Sequence, residues 1–447
     1  MSITLDPRET LSLSPMSPIQ IGAVAITVGL NALDGFDVLA ISFASPGIAR
    51  AWGIDRAALG FVLSMELIGM GLGSISLGGV ADRIGRRRTL LGCLAVMTLG
   101  MAMATRARGV YDLSVWRVFT GFGIGGMLAA INAVAAEFSS SRRRSLNVSL
   151  MAIGYPIGAI VGGSIAALLL KQADWRAVFG FGAAATAAFI PLVYWLVPES
   201  VYWLCQRQPR GALADVNRSL RRMGHETVAA LPPIGDEVRR RSVAEIFSPQ
   251  WIRVTVLVTS AYFLHITAFY FILKWVPKIV VDMGFSPSAA AGVLVWANVG
   301  GATGGAVLGL LSLRLGLKHL TMVVLVASTI MLAVFGRGQA NLAQLSLICA
   351  ITGFFTNAGV VGLYGILAQV YPTQLRATGT GFAIGVGRAG AMLAPIIAGY
   401  LFHTGYGLQF VAVAMGGGSL IAAIALWLLP PPTSAARIMD EAPATAG

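Results

Sequence analysis

The chain has 447 residues, of which 56% are hydrophobic and only 11% are charged. A soluble domain carries about 25% charged residues, so this composition excludes an ordinary soluble protein. The net charge of +13 would suggest nucleic acid binding in a soluble chain. Here the basic residues lie in short loops between apolar stretches, so membrane topology explains the charge and we expect no nucleic acid partner.

Apolar windows predict twelve helices, each with roughly 20 residues or more, enough to cross about 30 Å of hydrocarbon. They are expected at 19–43, 58–81, 89–106, 111–137, 145–170, 175–197, 251–276, 285–311, 319–336, 342–369, 377–402 and 407–429. No segment alternates with period two, so a β-barrel is excluded. The predicted fold is an all-α membrane protein with twelve transmembrane helices in two six-helix pseudo-symmetric bundles.

The only long polar stretch lies in the middle of the chain. We predict a cytoplasmic tail at 1–18, an N-terminal bundle at 19–197, a cytoplasmic linker at 198–250 with one or two short surface helices, a C-terminal bundle at 251–429 and a second cytoplasmic tail at 430–447. The linker and one set of alternate loops are much richer in Lys and Arg than the opposite loops. By the positive-inside rule both termini are cytoplasmic, in a bacterial inner membrane, and we expect no cleavable signal peptide.

Two loops of the first half recur in the second half. The segment Gly78–Arg88 has a decayed copy at Gly309–Lys318, and Ala136–Arg144 matches Ala368–Arg376. The first pair is offset by 231 residues and the second by 232. A chance match would explain either loop alone, but two loops with nearly one offset indicate duplication of a six-helix unit, as in many transporters.

Three segments carry a superfamily resemblance. Gly78–Arg88 resembles the loop 2–3 signature of the major facilitator superfamily, G-x-x-x-D-R-x-G-R-R. Arg117–Gly126 resembles the fourth-helix motif of that superfamily, and Pro198–Leu204 resembles the P-E-S-x-x-W-L that follows its sixth helix. Within the superfamily, the Asp-Gly-Phe-Asp at 34–37 is similar to the first-helix motif of the aromatic acid:proton symporters, and 371–390 resembles their helix 10–11 region.

This resemblance implies proton-coupled uptake of an aromatic carboxylic acid, such as a hydroxybenzoate or a lignin-derived acid, by alternating access. It implies no cofactor beyond protons as the coupling ion, and we expect a monomer in the lipid bilayer. The alternative is a proton-coupled exporter of a small organic compound, although the glycine-proline motif of drug antiporters fits Gly154–Gly158 poorly. An enzyme is not expected, because the four histidines are scattered and no nucleophile lies beside a base.

Proton coupling is assigned to four charged residues within the predicted helices, Asp34, Asp37, Arg117 and Glu66. Asp34 and Asp37 are three residues apart and share a helical face. An ionised carboxylate at the bilayer centre costs about 2.5–3.5 kcal/mol or more, so the pair needs a proton, a cation or water. The alternatives are structural roles, namely helix packing for the acids and an ion pair for Arg117.

Substrate binding is assigned mainly to the second half, which has no predicted carboxylate within its spans. Arg388 could hold the substrate carboxylate through two parallel hydrogen bonds, or pair with an acid. The other predicted ligands are His265, Tyr262, Trp296, Asn298, Asn357, Tyr364 and Asn132. Packing is the alternative for each of them, and above all for a lone histidine. Lys274 is expected to reach the interface or to attract anions at the external end.

A cytoplasmic gate is assigned to charges at helix ends, which could pair in one state and part when the halves rock. Its predicted members are Asp82, Arg83, Arg87, Glu137, Arg144 and Arg376. The alternative is topology alone, since positive cytoplasmic loops need no further reason. The three cysteines lie far apart, with no CxxC and no histidine close by, so neither a disulfide nor a metal site is predicted.

Overall fold

A computed structural model describes residues 6–233 and 243–430, except the side chains of residues 243, 373, 374 and 377. Its helices are α1 (Pro7–Leu13), α2 (Pro18–Trp52), α3 (Arg56–Ile84), α4 (Arg86–Ala104), α5 (Val110–Glu137), α6 (Arg144–Gln172), α7 (Arg176–Leu196), α8 (Val201–Arg207), α9 (Ala212–Arg222), α10 (Ile252–Asp282), α11 (Pro287–Leu311), α12 (Leu317–Gly336), α13 (Leu342–Val370), α14 (Thr373–His403) and α15 (Leu408–Trp427). Among the described residues, twelve helices are long and apolar enough to cross a membrane. The predicted fold class is confirmed.

The chain divides into two compact units. The first comprises the described parts of residues 1–52 and 65–238, and the second comprises those of 53–64 and 239–447. The domain boundaries predicted from composition remain a prediction. The final tail beyond residue 430 and the central part of the linker, with its three consecutive arginines at 239–241, lie outside the described residues.

The same helix pairs pack in both units. In the first unit α2 packs on α6, and α4 packs on α5 and α7. In the second unit α10 packs on α14, and α12 packs on α13 and α15. These are the first and fifth, third and fourth, and third and sixth spanning helices of each unit, so the internal packing follows the duplication that the two repeated loops predict.

Glycines allow close contact between α3 and α5. Gly121 lies against the backbone carbonyl of Glu66, and Gly125 lies against the backbone of Met70. Any side chain at either glycine would meet main-chain atoms that cannot move aside, so small residues are required at this crossing. Because Arg117 is one turn before Gly121, the crossing also brings the side chain of Arg117 to the level of Glu66.

The first spanning helix is longer than predicted. The sequence predicts an end at residue 43, shortly before Pro46, yet α2 continues without interruption to Trp52. Proline has no N–H to donate to the carbonyl of Ser42, four residues earlier. The hydroxyl of Ser45 donates to that carbonyl over 2.9 Å, which satisfies the orphaned acceptor within the apolar helix.

Short surface helices accompany the spans. The linker contains α8 and α9, which confirms the predicted short helices. The predicted tail contains one helix that was not predicted, α1, where the carboxylate of Asp6 accepts a hydrogen bond of 2.8 Å from the backbone amide of Arg8. An aspartate followed by Pro7 at the first helical position is a recognisable start signal.

Candidate functional site

Four charged side chains of α2, α3 and α5 are buried in the first unit. Asp34 is 2% exposed, and Asp37, Glu66 and Arg117 are fully buried. They come from α2, α3 and α5, so the structure brings together the four residues predicted for proton coupling. If all four were ionised, three negative charges would face one positive charge in a region without solvent.

Arg117 is the centre of this cluster. Its guanidinium forms an ion pair with the carboxylate of Glu66. One terminal nitrogen donates to the backbone carbonyl of Asp37 over 2.9 Å, and the other lies 2.9 Å from the sulfur of Met101. The guanidinium carbon also lies 5.2 Å from the centroid of the Phe179 ring, a cation–π distance. The arginine is therefore held from several helices and has a fixed position.

The carboxylate of Asp37 is less completely satisfied than the arginine. The hydroxyl of Thr186 donates to one oxygen over 3.5 Å, which is at the limit for a hydrogen bond. The other oxygen is buried and has no hydrogen-bond partner among the residues that the structure describes. The charges of Arg117, Glu66 and Asp34 all act on this carboxylate. Asp37 thus has capacity for a further proton or donor.

In the second unit, two tyrosines and an arginine come together. The hydroxyls of Tyr262 in α10 and Tyr364 in α13 are 3.0 Å apart and share a hydrogen bond. Arg388 in α14 interacts electrostatically with Tyr262, and Gly387 lies against the ring of that tyrosine. Arg388 is half-buried and has no ion-pair or hydrogen-bond partner within residues 6–233 and 243–430. A guanidinium without such a partner can bind the carboxylate of a ligand.

His265 lies elsewhere in the second unit, in the core. Its ring is fully buried, with Nδ1 2.8 Å from the hydroxyl of Ser419 and Nε2 2.8 Å from the carbonyl of Thr356. A neutral imidazole that donates through Nε2 and accepts through Nδ1 satisfies both contacts. Both ring nitrogens are therefore occupied in this conformation, which favours packing over the substrate contact that we predicted.

Lys274 differs from its predicted placement. Its side chain is fully buried in α10 instead of reaching the interface. The expectation of snorkelling is wrong because position 274 lies well before the end of this helix, which continues to Asp282. The apolar window predicts an end near residue 276.

The remaining predicted ligands are dispersed. The amide of Asn357 donates to the carbonyl of Gly301 over 2.6 Å and joins α13 to α11. Asn298 is buried, and both it and the exposed Asn132 donate to carbonyls of their own helices. The side chain of Trp296 is 54% exposed. Of the predicted set, only Tyr262, Tyr364 and Arg388 form a cluster.

A second charged cluster lies at the end of the first unit that we predict to be cytoplasmic. Arg86 contacts Asp82 at 2.8 Å and Glu137 at 3.0 Å, and Glu137 also accepts a hydrogen bond from the hydroxyl of Ser200. The arginine belongs to α4, whereas its partners end α3 and α5. The ion pairs therefore join helices within one unit.

The gate prediction identified this cluster with the wrong arginine. Arg83 is exposed, and Arg86 pairs with Asp82 and Glu137 in its place. The reason is Gly85, whose φ of +104° turns the chain between α3 and α4 and returns Arg86 to Asp82. Arg87 instead donates to the carbonyl of Tyr194 and lies over its ring, at 4.8 Å from the centroid.

Two other predicted gate residues lie outside this cluster. Arg144 is 3.3 Å from the hydroxyl of Tyr202, and Arg376, in the second unit, is exposed.

Glu199 is a member of the cluster that the sequence analysis missed. One of its oxygens accepts from the amides of Arg86 at 2.8 Å, Arg87 at 3.2 Å and Ser200 at 3.0 Å. Burial raises the pKa of this carboxyl above its usual value, against the opposing effect of these donors. The signal was available, because Glu199 is the acidic residue of the Pro-Glu-Ser motif.

No group of three or more potential metal ligands occurs within the part of the chain that the structure describes. The cysteines Cys93, Cys205 and Cys349 are all buried and separate.

Comparisons with known proteins identify the relatives of this chain. The sequence model described as Major Facilitator Superfamily matches residues 27–336 and 258–445. The chain is 30% identical to the 3-(3-hydroxy-phenyl)propionate transporter of Escherichia coli (strain K12), over 90% of this chain and 93% of the relative. It is 30% identical to the 4-hydroxybenzoate transporter PcaK of Pseudomonas putida, over 92% and 93%, and 28% identical to the gallate transporter of the same species, over 94% of each.

Solved structures share the fold at lower identity. The crystal structure of a D-xylose-proton symporter superimposes with a TM-score of 0.71 at 18% identity, over 93% of this chain and 99% of that one. This likeness supports the twelve-helix architecture.

Proposed function

The chain belongs to the Major Facilitator Superfamily, and we propose that it imports an aromatic carboxylate together with protons by alternating access. We place it as a monomer in the bacterial inner membrane, with both termini in the cytoplasm and with protons in place of any cofactor. The predicted domain boundaries, with bundles at 19–197 and 251–429, are part of this proposal.

The observation that carries the proposal is the buried cluster of Asp34, Asp37, Glu66 and Arg117. One arginine compensates one carboxylate, and Glu66 holds it in an ion pair. An ionised carboxylate in the bilayer without a partner costs several kcal/mol, so an incompletely paired acid favours a bound proton. Asp37 has an oxygen without a hydrogen-bond partner among the described residues, so it is the proton carrier we favour.

The substrate class is supported by the relatives and by the second unit. Transporters of gallate, 4-hydroxybenzoate and 3-(3-hydroxy-phenyl)propionate are among the similar proteins. All three substrates combine an aromatic ring, a phenolic hydroxyl and a carboxylate. Arg388 can pair with a carboxylate, and the linked hydroxyls of Tyr262 and Tyr364 can exchange hydrogen bonds with a phenol. We therefore propose a hydroxylated aromatic acid bound near these three residues.

Uptake of radiolabelled 4-hydroxybenzoate into cells that express the chain tests this function. Accumulation should collapse when a protonophore removes the proton gradient. Arg388→Gln should lower uptake about tenfold or more at a fixed low substrate concentration, because a charge-assisted pair contributes about 1.5–3 kcal/mol. Arg337→Gln is the matched control, since Arg337 is exposed at the end of α12. Protonophore-insensitive accumulation would refute proton symport.

The same experiment addresses export. A proton-coupled exporter would lower the cellular content of labelled acid relative to cells without the chain, and a protonophore would raise it. That result would overturn the direction of transport that we propose.

A further inference from the structure

A cavity of about 190 Å³ lies in the second unit, at the ends of α10 and α14 and the start of α3 and α15. Every residue that lines it belongs to 53–64 or to 243–430, so it is a feature of that unit alone. The Lys/Arg distribution assigns this end of the helices to the outside. None of the residues described above as proton-coupling, substrate or gate positions lines the cavity.

The walls of the cavity are apolar and aromatic. Trp275 is almost fully buried, and its indole nitrogen donates to the carbonyl of Pro395 over 3.2 Å, which fixes the ring. The rings of Trp275 and Phe402 are 5.1 Å apart and inclined at 52°. Ile279, Met283 and Leu408 complete the apolar lining. An apolar cavity of about 150 Å³ is large enough to bind benzene, so this cavity accommodates one aromatic ring.

The polar part of the lining is the ion pair of Arg56 and Asp282, with a second cation, Lys278, beside it. The guanidinium of Arg56 is 3.1 Å from one oxygen of Asp282, and the ammonium of Lys278 contacts the other oxygen. Two cations therefore share one carboxylate. If Arg56 paired with a ligand carboxylate, Asp282 would still have Lys278 as its partner and would remain paired with a positive charge.

Arg56 is also placed for a ligand with a ring. Its guanidinium carbon lies 5.4 Å from the centroid of Phe402, and its side chain is 44% exposed. The nearby carboxylate of Asp55 caps the first turn of α3 and lies 3.3 Å from His403, but it does not line the cavity. A ring packed against Trp275 and Phe402 would present its carboxylate at Arg56.

We propose that this cavity is a second binding site, for a monocyclic aromatic carboxylate, at the external end of the second unit. The carboxylate pairs with Arg56 in place of Asp282, and the ring occupies the cavity that Trp275, Phe402 and Leu408 line. This inference rests on the proposed function only in its choice of an aromatic carboxylate as the ligand.

Equilibrium binding of radiolabelled benzoate to the purified full-length chain in detergent tests the site. The wild type should bind two benzoates per chain. Arg56→Gln should weaken one of them about tenfold or more, because it removes a charge-assisted pair. Leu408→Trp fills the cavity while leaving all charges in place, and should reduce the stoichiometry to one. Asp282→Asn should tighten the same site several-fold, since the internal competitor loses its charge.

The controls separate this site from the transport site. Arg337→Gln should leave both benzoates bound. Arg388→Gln should remove the other benzoate.

Wild-type binding in both Arg56→Gln and Leu408→Trp would overturn the second site while leaving the proposed function intact. Binding that depends on Arg56 without any uptake of aromatic acid would refute the proposed function and leave this site standing. Absence of benzoate binding to every form of the chain would overturn the site, and proton-driven uptake of 4-hydroxybenzoate would then decide the proposed function alone.

Discussion

Replacement of Glu66 by glutamine isolates the energy of the buried ion pair. Glu66 and Arg117 are both fully buried, and the guanidinium has no access to water. Removing one partner of a buried pair typically costs about 3–5 kcal/mol, because the other charge is left without compensation. The amide of glutamine has nearly the same size, so Glu66→Gln removes the charge without opening a cavity.

A second substitution distinguishes charge from packing. Arg117→Met also leaves a buried charge uncompensated, on Glu66, unless that acid takes up a proton. The double variant Glu66→Gln/Arg117→Met removes both charges, so neither member of the pair is left as a buried charge without its partner. We therefore expect the double variant to be more stable than the Glu66→Gln variant.

Thermal unfolding in detergent, followed by circular dichroism at a fixed pH, measures this cycle. The Glu66→Gln variant should unfold several degrees below the wild type, and the double variant should recover most of the difference. The coupling energy between the two positions should reach at least about 1 kcal/mol. Additive effects of the two substitutions would show that the pair contributes nothing as a pair and would refute the reasoning.

Three further changes test local features. Ser45→Ala should destabilise the chain by about 1–3 kcal/mol, because the carbonyl of Ser42 loses the hydroxyl that replaces the missing N–H of Pro46. Ser76→Ala removes an exposed hydroxyl and should have a smaller effect in the same melting assay. Gly85→Ala should lower the melting temperature, since a side chain at φ +104° is strained and would meet the carboxylate of Glu199; an unchanged temperature would contradict that. Burial raises the folded-state pKa of Glu199 above 4.5, so the stability that this carboxyl contributes is present at low pH and is lost as the pH rises through the raised pKa. Between pH 4 and 8 the melting temperature should therefore fall less steeply with pH in Glu199→Gln than in the wild type. Parallel curves would contradict this.

The sequence is sufficient to predict the spanning helices and the repeat. In lipid the backbone hydrogen bonds must close within each helix or around a barrel, so long apolar segments without period-two alternation predict the spanning helices. The end of the first helix was missed because Pro46 is a break signal, and its compensation by Ser45 is visible only as a hydrogen bond. The cap of α1, by contrast, was present in the sequence as Asp6 and Pro7.

The candidate site was predictable as a set of residues but not as a set of pairs. Charges within apolar helices are rare enough to be noticed individually, which identified Asp37, Glu66 and Arg117. Which acid the arginine meets depends on the glycine contacts between α3 and α5, and these set the helix spacing. His265 shows the opposite case, since its two partners lie on α13 and α15 and cannot be inferred from sequence separation.

The proposed coupling of aromatic acid to protons is tested most directly by proton uptake in proteoliposomes. The purified chain is reconstituted with a pH-sensitive dye outside, and 4-hydroxybenzoate is added at equal internal and external pH. We predict that the acid makes the external medium more alkaline as it enters with protons. The Asp37→Asn variant should give no such change, while Asp174→Asn, at an exposed position with a 58% exposed side chain, should respond as the wild type does. Entry of labelled acid into wild-type proteoliposomes without any proton movement would contradict the account.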